Sequence, residues 1–291
     1  MNYKYTLDKS SKKHKCPSCG KKTFVRYINV ETNNYINEDS GRCDRESKCQ
    51  YHKSPKGNQP LVNYNTHIVQ QLPSSHNESV LGAYGRNYTN NSFISYLLKY
   101  FAPVDVKHAI KKYFIGTSSH WYGSTIFWQV DEQMNICAGK VMLYNENTGE
   151  RVKKPYPHIN WMHKVLQVEG FVLQQCLFGL HNLCDYDNSN TVCIVESEKT
   201  AIIMSILFPH CLWLATGSKA NLKKELLKPL KDYKIIVFPD KTEFDDWNTK
   251  VKALEKEGFL IICSAFLEDK SLDEGADLVD MFQIVNSVIN I

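Results

Sequence analysis

The chain has 291 residues, 43% hydrophobic and 23% charged, with a formal net charge of +4. That balance excludes a disordered or fibrous chain and leaves length for two or three domains around a buried core. The longest apolar runs, 201–208 and 259–267, fall well short of the roughly 20 residues of a membrane-spanning helix. The lysine-bearing start, residues 1–15, lacks the apolar stretch of an export signal, so a cytoplasmic protein without a membrane partner is expected.

Charge is unevenly spread. Residues 1–60 carry 13 basic against 6 acidic side chains, residues 61–190 carry 10 against 9, and residues 191–291 carry 12 against 16. A basic front and an acidic back suit a phosphate-binding module joined to a site that holds cations. Of ten cysteines, Cys137, Cys176, Cys184, Cys193, Cys211 and Cys263 stand singly among apolar residues, as reduced core thiols do. The other four crowd into residues 16–49, and such clustering in a cytosolic chain points to metal over disulfides.

The first element is a Cys16-x-x-Cys19-Gly20 knuckle, a tight turn that aims two thiolates at one point. Its partner segment, "GRCDRESKCQYH", offers Cys43, Cys49 and His52. Tetrahedral zinc needs four ligands: Cys16, Cys19, Cys43 and Cys49 are favoured, with His52 as the alternative to Cys49 because Cys49-x-x-His52 has the tighter spacing. Between the knuckles, "KTFVRYINVETNNYI" reads as a hairpin turning at Asn33–Asn34, the layout of a zinc ribbon. Zinc here either simply replaces a core or also supports nucleic-acid contact. Lys21, Lys22, Arg26, Arg42, Arg45 and Lys48 would neutralise phosphates, and Phe24, Tyr27 and Tyr51 would stack on bases.

Residues 53–75 are polar with three prolines and read as a linker. A helix pair is predicted at Ser92–Tyr100 and Pro103–Lys112, with Asp105 in the first turn of the second. Strand-like "TIFWQV", a turn at Asp131–Asn135, "ICAGKVMLY" and a turn around Asn147–Gly149 predict an antiparallel meander. Lys140, Arg151, Lys153, Lys154 and Lys164 would give it a basic edge, either a solvated face or a nucleic-acid or nucleotide track.

From residue 191 strands and helices alternate. "TVCIV" leads into a helix at 198–207, "CLWLATG" into "NLKKELLKPL", "KIIVFPD" into a helix at 244–257, and "FLIICSAF" ends the series. Short buried runs separated by helices imply a parallel sheet with right-handed crossovers, whose ligands gather at the carboxyl ends of the strands. Glu196 and Asp240 stand at two such ends. Two carboxylates at one rim can hold Mg²⁺, although each could instead merely start a helix. Trp213 and Trp247 read as core.

A Glu after the first strand, Gly217 after the second, Asp240 after the third and the late "GADLVDMF" resemble, in order, a toprim domain, shared by bacterial primases, topoisomerases and some nucleases. The resemblance implies that Glu196 is a general acid/base or metal ligand and that Asp240, with Asp277 or Asp280, binds Mg²⁺ or Mn²⁺. Lys140, Arg151, Lys153, Lys154, Lys199 and Gly217 are the candidate nucleotide-contacting residues. The zinc ribbon and basic meander ahead of it make the whole similar to compact bacterial-type primases of mobile elements, from Cys16 to about Asp280. Expected, then, are an α/β fold with a small zinc ribbon (1–58), a linker (59–76), a mixed α+β primase-like subdomain (77–188) and a Rossmann-like toprim domain (189–291). The resemblance implies metal-dependent nucleotidyl transfer on single-stranded DNA, with nucleoside triphosphates as substrates and a replicative helicase as a partner. A helicase-binding domain is not expected within these residues. One position departs from the pattern: where the family has Asp-x-Asp, this chain has Thr242 after Asp240, and Asp245 and Asp246 lie in the next helix. A catalytically degenerate DNA-binding protein is therefore the rival expectation, and a toprim nuclease a weaker third.

Overall fold

The computed structural model describes residues 2–10, 12–45, 48–55, 60–61 and 72–281. The chain divides into two units, Met1–Gln70 and Gln71–Ile291; most of the predicted linker lies outside the described residues. Among the described residues, no helix is long and apolar enough to cross a membrane.

Among the described residues the first unit has six short strands: β1 (Asn2–Tyr3), β2 (Tyr5–Leu7), β3 (Phe24–Asn29), β4 (Gly41–Cys43), β5 (His52–Lys53) and β6 (Pro60–Leu61). Strands β2 to β5 pair antiparallel in chain order, and β1 pairs with β6. The predicted hairpin turn is present, with Asn33 in the left-handed region at φ 56° and its N–H donating to Asn29 O at 2.8 Å. The buried cluster is Phe24 with Cys16 and Cys43, flanked by Cys19, Cys49 and Tyr51. A core of one phenylalanine and four thiols is too small to hold a fold alone, so a metal has to supply what packing does not.

The second unit begins with α1 (Ser79–Tyr84), α2 (Ser92–Tyr100) and α3 (Pro103–Lys112). Helix α2 starts where it does because fully buried Asn91 caps it, accepting from the N–H groups of Phe93 and Ile94 at 3.1 and 3.2 Å. The same amide donates to Gly116 O and accepts from Thr125 Oγ1, which ties the helix start to the sheet behind it. Helix α3 has Pro103 at its start, Asp105 in its first turn and Lys111 and Lys112 in its last, each where the helix dipole favours it.

Then comes the meander: β7 (Gly116–Ser118), β8 (Ser124–Val130), β9 (Ile136–Met142) and β10 (Ile159–Trp161), antiparallel in the order β10-β9-β8-β7, with α4 (Met162–Val165) closing it. Every residue of β8 is buried. Ile126, Trp128 and Val130 face one cluster, while Phe127 joins another that contains Phe178, Val195 and Trp213. That second cluster is also the core of the α/β part, so the boundary read at 188/189 runs between subdomains that share packing.

The α/β part contains β11 (Thr191–Val195), α5 (Glu198–Leu207), β12 (Leu212–Ala215), α6 (Lys224–Leu227), β13 (Lys234–Val237), α7 (Phe244–Lys256) and β14 (Leu260–Cys263). The strands are all parallel, ordered β12-β11-β13-β14. Central β11 is buried on both faces, Cys193 and Val195 towards one cluster and Val192 and Ile194 towards the other, as expected of a parallel strand covered on both sides. The helix predicted over "NLKKELLKPL" is broken. Only 224–227 is α-helical, flanked by 3₁₀ turns at 219–221 and 228–230, because Pro229 lacks the N–H that continuation requires. Trp213 and Trp247 are core residues, as predicted; Cys184, expected inside, is exposed.

Candidate metal centres

In the first unit, Cys16, Cys19, Cys43 and Cys49 bring their sulfurs within 4.8 Å of one another. Gly20, at φ +67°, allows the knuckle to close, with its N–H donating to Cys16 O at 2.9 Å. Cys16 and Cys49 sulfurs are 3.7 Å apart and those of Cys19 and Cys43 are 4.0 Å apart. A tetrahedron with Zn–S bonds of 2.3 Å has edges of about 3.8 Å, so the set fits Zn²⁺. The Lys21 N–H lowers the Cys19 thiol and the Thr23 hydroxyl lowers Cys43, both towards the thiolate a metal needs, while burial raises Cys16. His52 lies outside this group. Its Nε2 is 2.9 Å from the Tyr27 hydroxyl, and the two rings stack. Cys16→Ser is expected to lower bound zinc, measured by atomic absorption, from one equivalent to near none and to unfold the ribbon; unchanged stoichiometry would contradict the ligand set.

In the second unit, the chain leaves β11 at Glu196 and the neighbouring β13 through Phe238 and Pro239 to Asp240. Both acids line a cavity of about 670 Å³, together with Lys140, Arg151, Lys153, Lys154, Lys199, Gly217, Asp277 and Asp280. Among the described residues, neither the Glu196 nor the Asp240 carboxylate has a hydrogen-bond or ion-pair partner. Burial raises the Glu196 carboxyl, and Glu243 adds to this. Burial pushes Asp240 up to about 8, reinforced by the charges of Asp277, Glu196, Glu243 and Asp280. Two unpartnered acids raised by burial and by neighbouring acids are what a cation would relieve. Their oxygens do not form a preclosed cage: among the described residues, only the four cysteines make a group of three or more ligand atoms all within 4.8 Å.

Asp277 and Asp280 are brought to this rim but have other tasks. Asp277 Oδ1 accepts from the N–H groups of Val279 and Asp280 at 2.8 and 3.2 Å, and Asp280 Oδ2 accepts from Asp277 N–H at 2.9 Å. This reciprocal pair is a capping box. Asp277 also accepts from the Thr200 hydroxyl, and Lys199 Nζ lies 3.9 Å from it. The loop reaches Asp240 because Lys241 pairs with Gly275 and Ala276 through the backbone.

Lys140, expected on an exposed basic edge, is buried. Its ammonium donates to both Glu198 oxygens at 3.0 and 3.2 Å and to Gly217 O at 2.9 Å, which uses all three hydrogens. Gly217 has φ +72°, and a Cβ there would lie 2.9 Å from Glu198 Oε1, so glycine is required for this contact and for the turn. Arg151, Lys153 and Lys154 are exposed, as expected.

Thr242 does not line the cavity. It is exposed, held at φ +76° with its N–H donating to Glu268 at 2.8 Å. Asp245 and Asp246 lie in the first turn of α7, and Asp246 pairs with Lys250 at 2.8 Å, so neither replaces the missing acid. Sequence reasoning missed Glu243. Its charge reaches both Glu196 and Asp240; Oε1 pairs with Lys219 at 2.8 Å, and Oε2 is buried without a partner. The signal was an acid three residues after Asp240 instead of two, with a left-handed residue between them.

A Cys₄ ribbon and a parallel α/β sheet with acids at its carboxyl rim, faced by a basic antiparallel meander, define the class. The chain belongs to the family described as a domain of unknown function, DUF6371, whose model matches residues 91–241. A zinc beta-ribbon finger model matches residues 3–61. In fold it is similar to the RNA polymerase domain of Mycobacterium tuberculosis primase DnaG, at 11% identity over 72% of this chain and 78% of that one, TM-score 0.47. It is likewise similar to the primase fragment of the bacteriophage T7 primase-helicase, at 12% identity over 98% and 99%, TM-score 0.47. The zinc-binding and RNA polymerase domains of Aquifex aeolicus primase match at 12% identity over 98% and 80%, TM-score 0.41. No curated protein matches the chain in sequence.

Proposed function

We propose that the chain is a primase-like nucleotidyltransferase acting on single-stranded DNA with nucleoside triphosphates. The observation that carries this reading is the pair of unpartnered carboxylates, Glu196 and Asp240, sharing a cavity with Arg151, Lys153, Lys154 and Lys199. Acids alone would suit a cation and bases alone an anion; both in one cavity suit a metal–polyphosphate complex. Glu196 and Asp240 would hold Mg²⁺ or Mn²⁺, which when bound lowers the pKa of an attacking 3′-hydroxyl and offsets phosphate charge. Arg151 and Lys199 bind and orient the triphosphate, while Lys153 and Lys154 neutralise phosphates of the strand. Glu196, its carboxyl raised by burial, is alternatively the base that takes the proton of that hydroxyl, with Asp240 the principal ligand. Asp277 and Asp280 hold the rim loop against Asp240 and enter the metal's surroundings through their charge.

Thr242, exposed where the resemblance expects an acid, favours a second reading: a DNA-binding protein of a mobile element with a degenerate site. Primer synthesis on single-stranded templates with labelled nucleotides and Mn²⁺ separates the two. Product made by wild type and lost in Glu196→Gln supports the enzyme. DNA binding without product, unchanged by Glu196→Gln, supports the binding module. A replicative helicase is the partner the enzymatic reading implies.

A further inference from the structure

The segment from Val152 to His158 is a loop closed at its base by the backbone. Val152 N–H donates to Leu143 O at 2.9 Å, while Leu143 N–H donates to His158 O and His158 N–H to Val152 O, both at 3.3 Å. Lys153, Lys154, Pro155, Tyr156 and Pro157 cross the tip, and all five are exposed. A proline on each side of Tyr156 restricts the local backbone, so the ring is presented with little conformational freedom left to lose.

Tyr156 is 53% exposed. One face stacks on His158, with ring centroids 4.6 Å apart and planes at 22°. His158 is nine-tenths buried and meets Trp121 edge-on at 5.1 Å, and Trp121 in turn meets His120 at 4.3 Å. His120 Nε2 is 2.9 Å from the side-chain nitrogen of Asn160 on β10. Tyr156 is thus the outermost ring of a supported ladder. Among the described residues its hydroxyl has no hydrogen-bond partner, so no polar anchor explains its place. Beside it, Lys153 and Lys154 line the cavity that holds Glu196 and Asp240. Together with Arg151 they enter no ion pair among the described residues.

We propose that this loop is a stacking platform for one base of single-stranded DNA, with the flanking phosphates on Lys153 and Lys154 and the base on the outer face of Tyr156. The proposal rests on the substrate class given above and adds where the strand is held as it enters the acidic cavity. Uncompensated ammonium groups beside an open ring favour a polyanion that carries flat rings of its own. A single strand offers the faces of its bases, whereas a duplex hides them in the stack. Because every base has such a face, the contact is tolerant of sequence.

The test is anisotropy of a labelled oligodeoxythymidylate with the full chain, without divalent metal or nucleotide. Tyr156→Ala is expected to weaken binding about tenfold, and Tyr156→Phe to retain it. Lys153→Ala and Lys154→Ala should each lower the slope of log affinity against log salt by about 0.7, a slope that Tyr156→Ala leaves unchanged. An oligonucleotide of abasic sites should bind wild type and Tyr156→Ala alike. Equal affinity of wild type and Tyr156→Ala for oligodeoxythymidylate overturns the proposal and leaves the loop to a protein partner or to covering His158. That result together with Glu196-dependent synthesis would sink this inference alone. Tyr156-dependent binding without any synthesis would sink the enzymatic reading alone.

Discussion

Asp240→Asn is expected to raise the stability of the metal-free protein while removing the nucleotidyl transfer proposed above. Burial and neighbouring acids push Asp240 up to about 8 in the folded chain, against an ordinary 3.8. The folded state therefore holds its proton where the unfolded state has lost it. Stability from this group is intact below about pH 4, falls as pH rises towards 8 and stays low above that. Asparagine keeps the shape and removes the charge. The gain over wild type should be about 1 kcal/mol at pH 5 and on the order of 2–4 kcal/mol at pH 8, after discounting for the half-buried position. Thermal unfolding without divalent metal measures it. Mn²⁺ should raise the melting temperature of wild type and not of the variant, since a ligand stabilises the state that binds it. Primer synthesis should drop about 10²–10³-fold, the scale of losing one preorganised electrostatic contact. A variant no more stable than wild type at pH 8 would mean that the carboxylate is not under repulsion, and the argument for a cation would fail with it.

The second large effect concerns Lys140. This lysine on β9 reaches Glu198 at the start of α5 and the carbonyl of Gly217 beyond β12, so one ammonium joins the meander to two segments of the α/β part. The pair is almost wholly buried, with side-chain exposures of 9% and 2%. Such pairs add little relative to apolar packing, but removing one partner strands a charge without water or counter-ion. Lys140→Met should cost about 3–5 kcal/mol in chemical denaturation, and Lys140→Met with Glu198→Gln should recover most of it. A loss below about 1 kcal/mol would show that water reaches Glu198.

How much of this could be read beforehand depended on whether the deciding contact was local. Helices α2 and α3 and strands β8 and β11 coincide with or lie within a residue of the runs read from sequence, because each has a local signal: Asn91 before an apolar run, Pro103 and Asp105 at a start, a β-branched strand. Other contacts leave no local sign. Glu198 follows Glu196 and Ser197 in a polar run, yet it is buried because Lys140, far off in the chain, comes to meet it. The resemblance assigns Asp277 or Asp280 to the metal, and reciprocal capping is a property of both backbone and side chain that spacing alone does not decide. Glu243 escaped notice because the left-handed turn at Thr242 shifts the acid by one position. Tyr156 lies between two prolines with no local sign of a platform, and the rings beneath it are His158 of its own segment and Trp121 and His120 from much earlier in the chain.

Glu196 and Asp240 hang from adjacent strands whose pairing puts Ile194 beside Val237. The spacing of hydrogen-bonded neighbours, about 4.8 Å, therefore sets how far apart the two acids begin. Insertions in the surface turns leave that interval untouched, whereas a one-residue slip of either strand would swing an acid to the opposite face. Drift in the surface turns is thus decoupled from the starting interval of the acidic rim, and the chain can be rewritten widely around a distance that the sheet's own lattice sets.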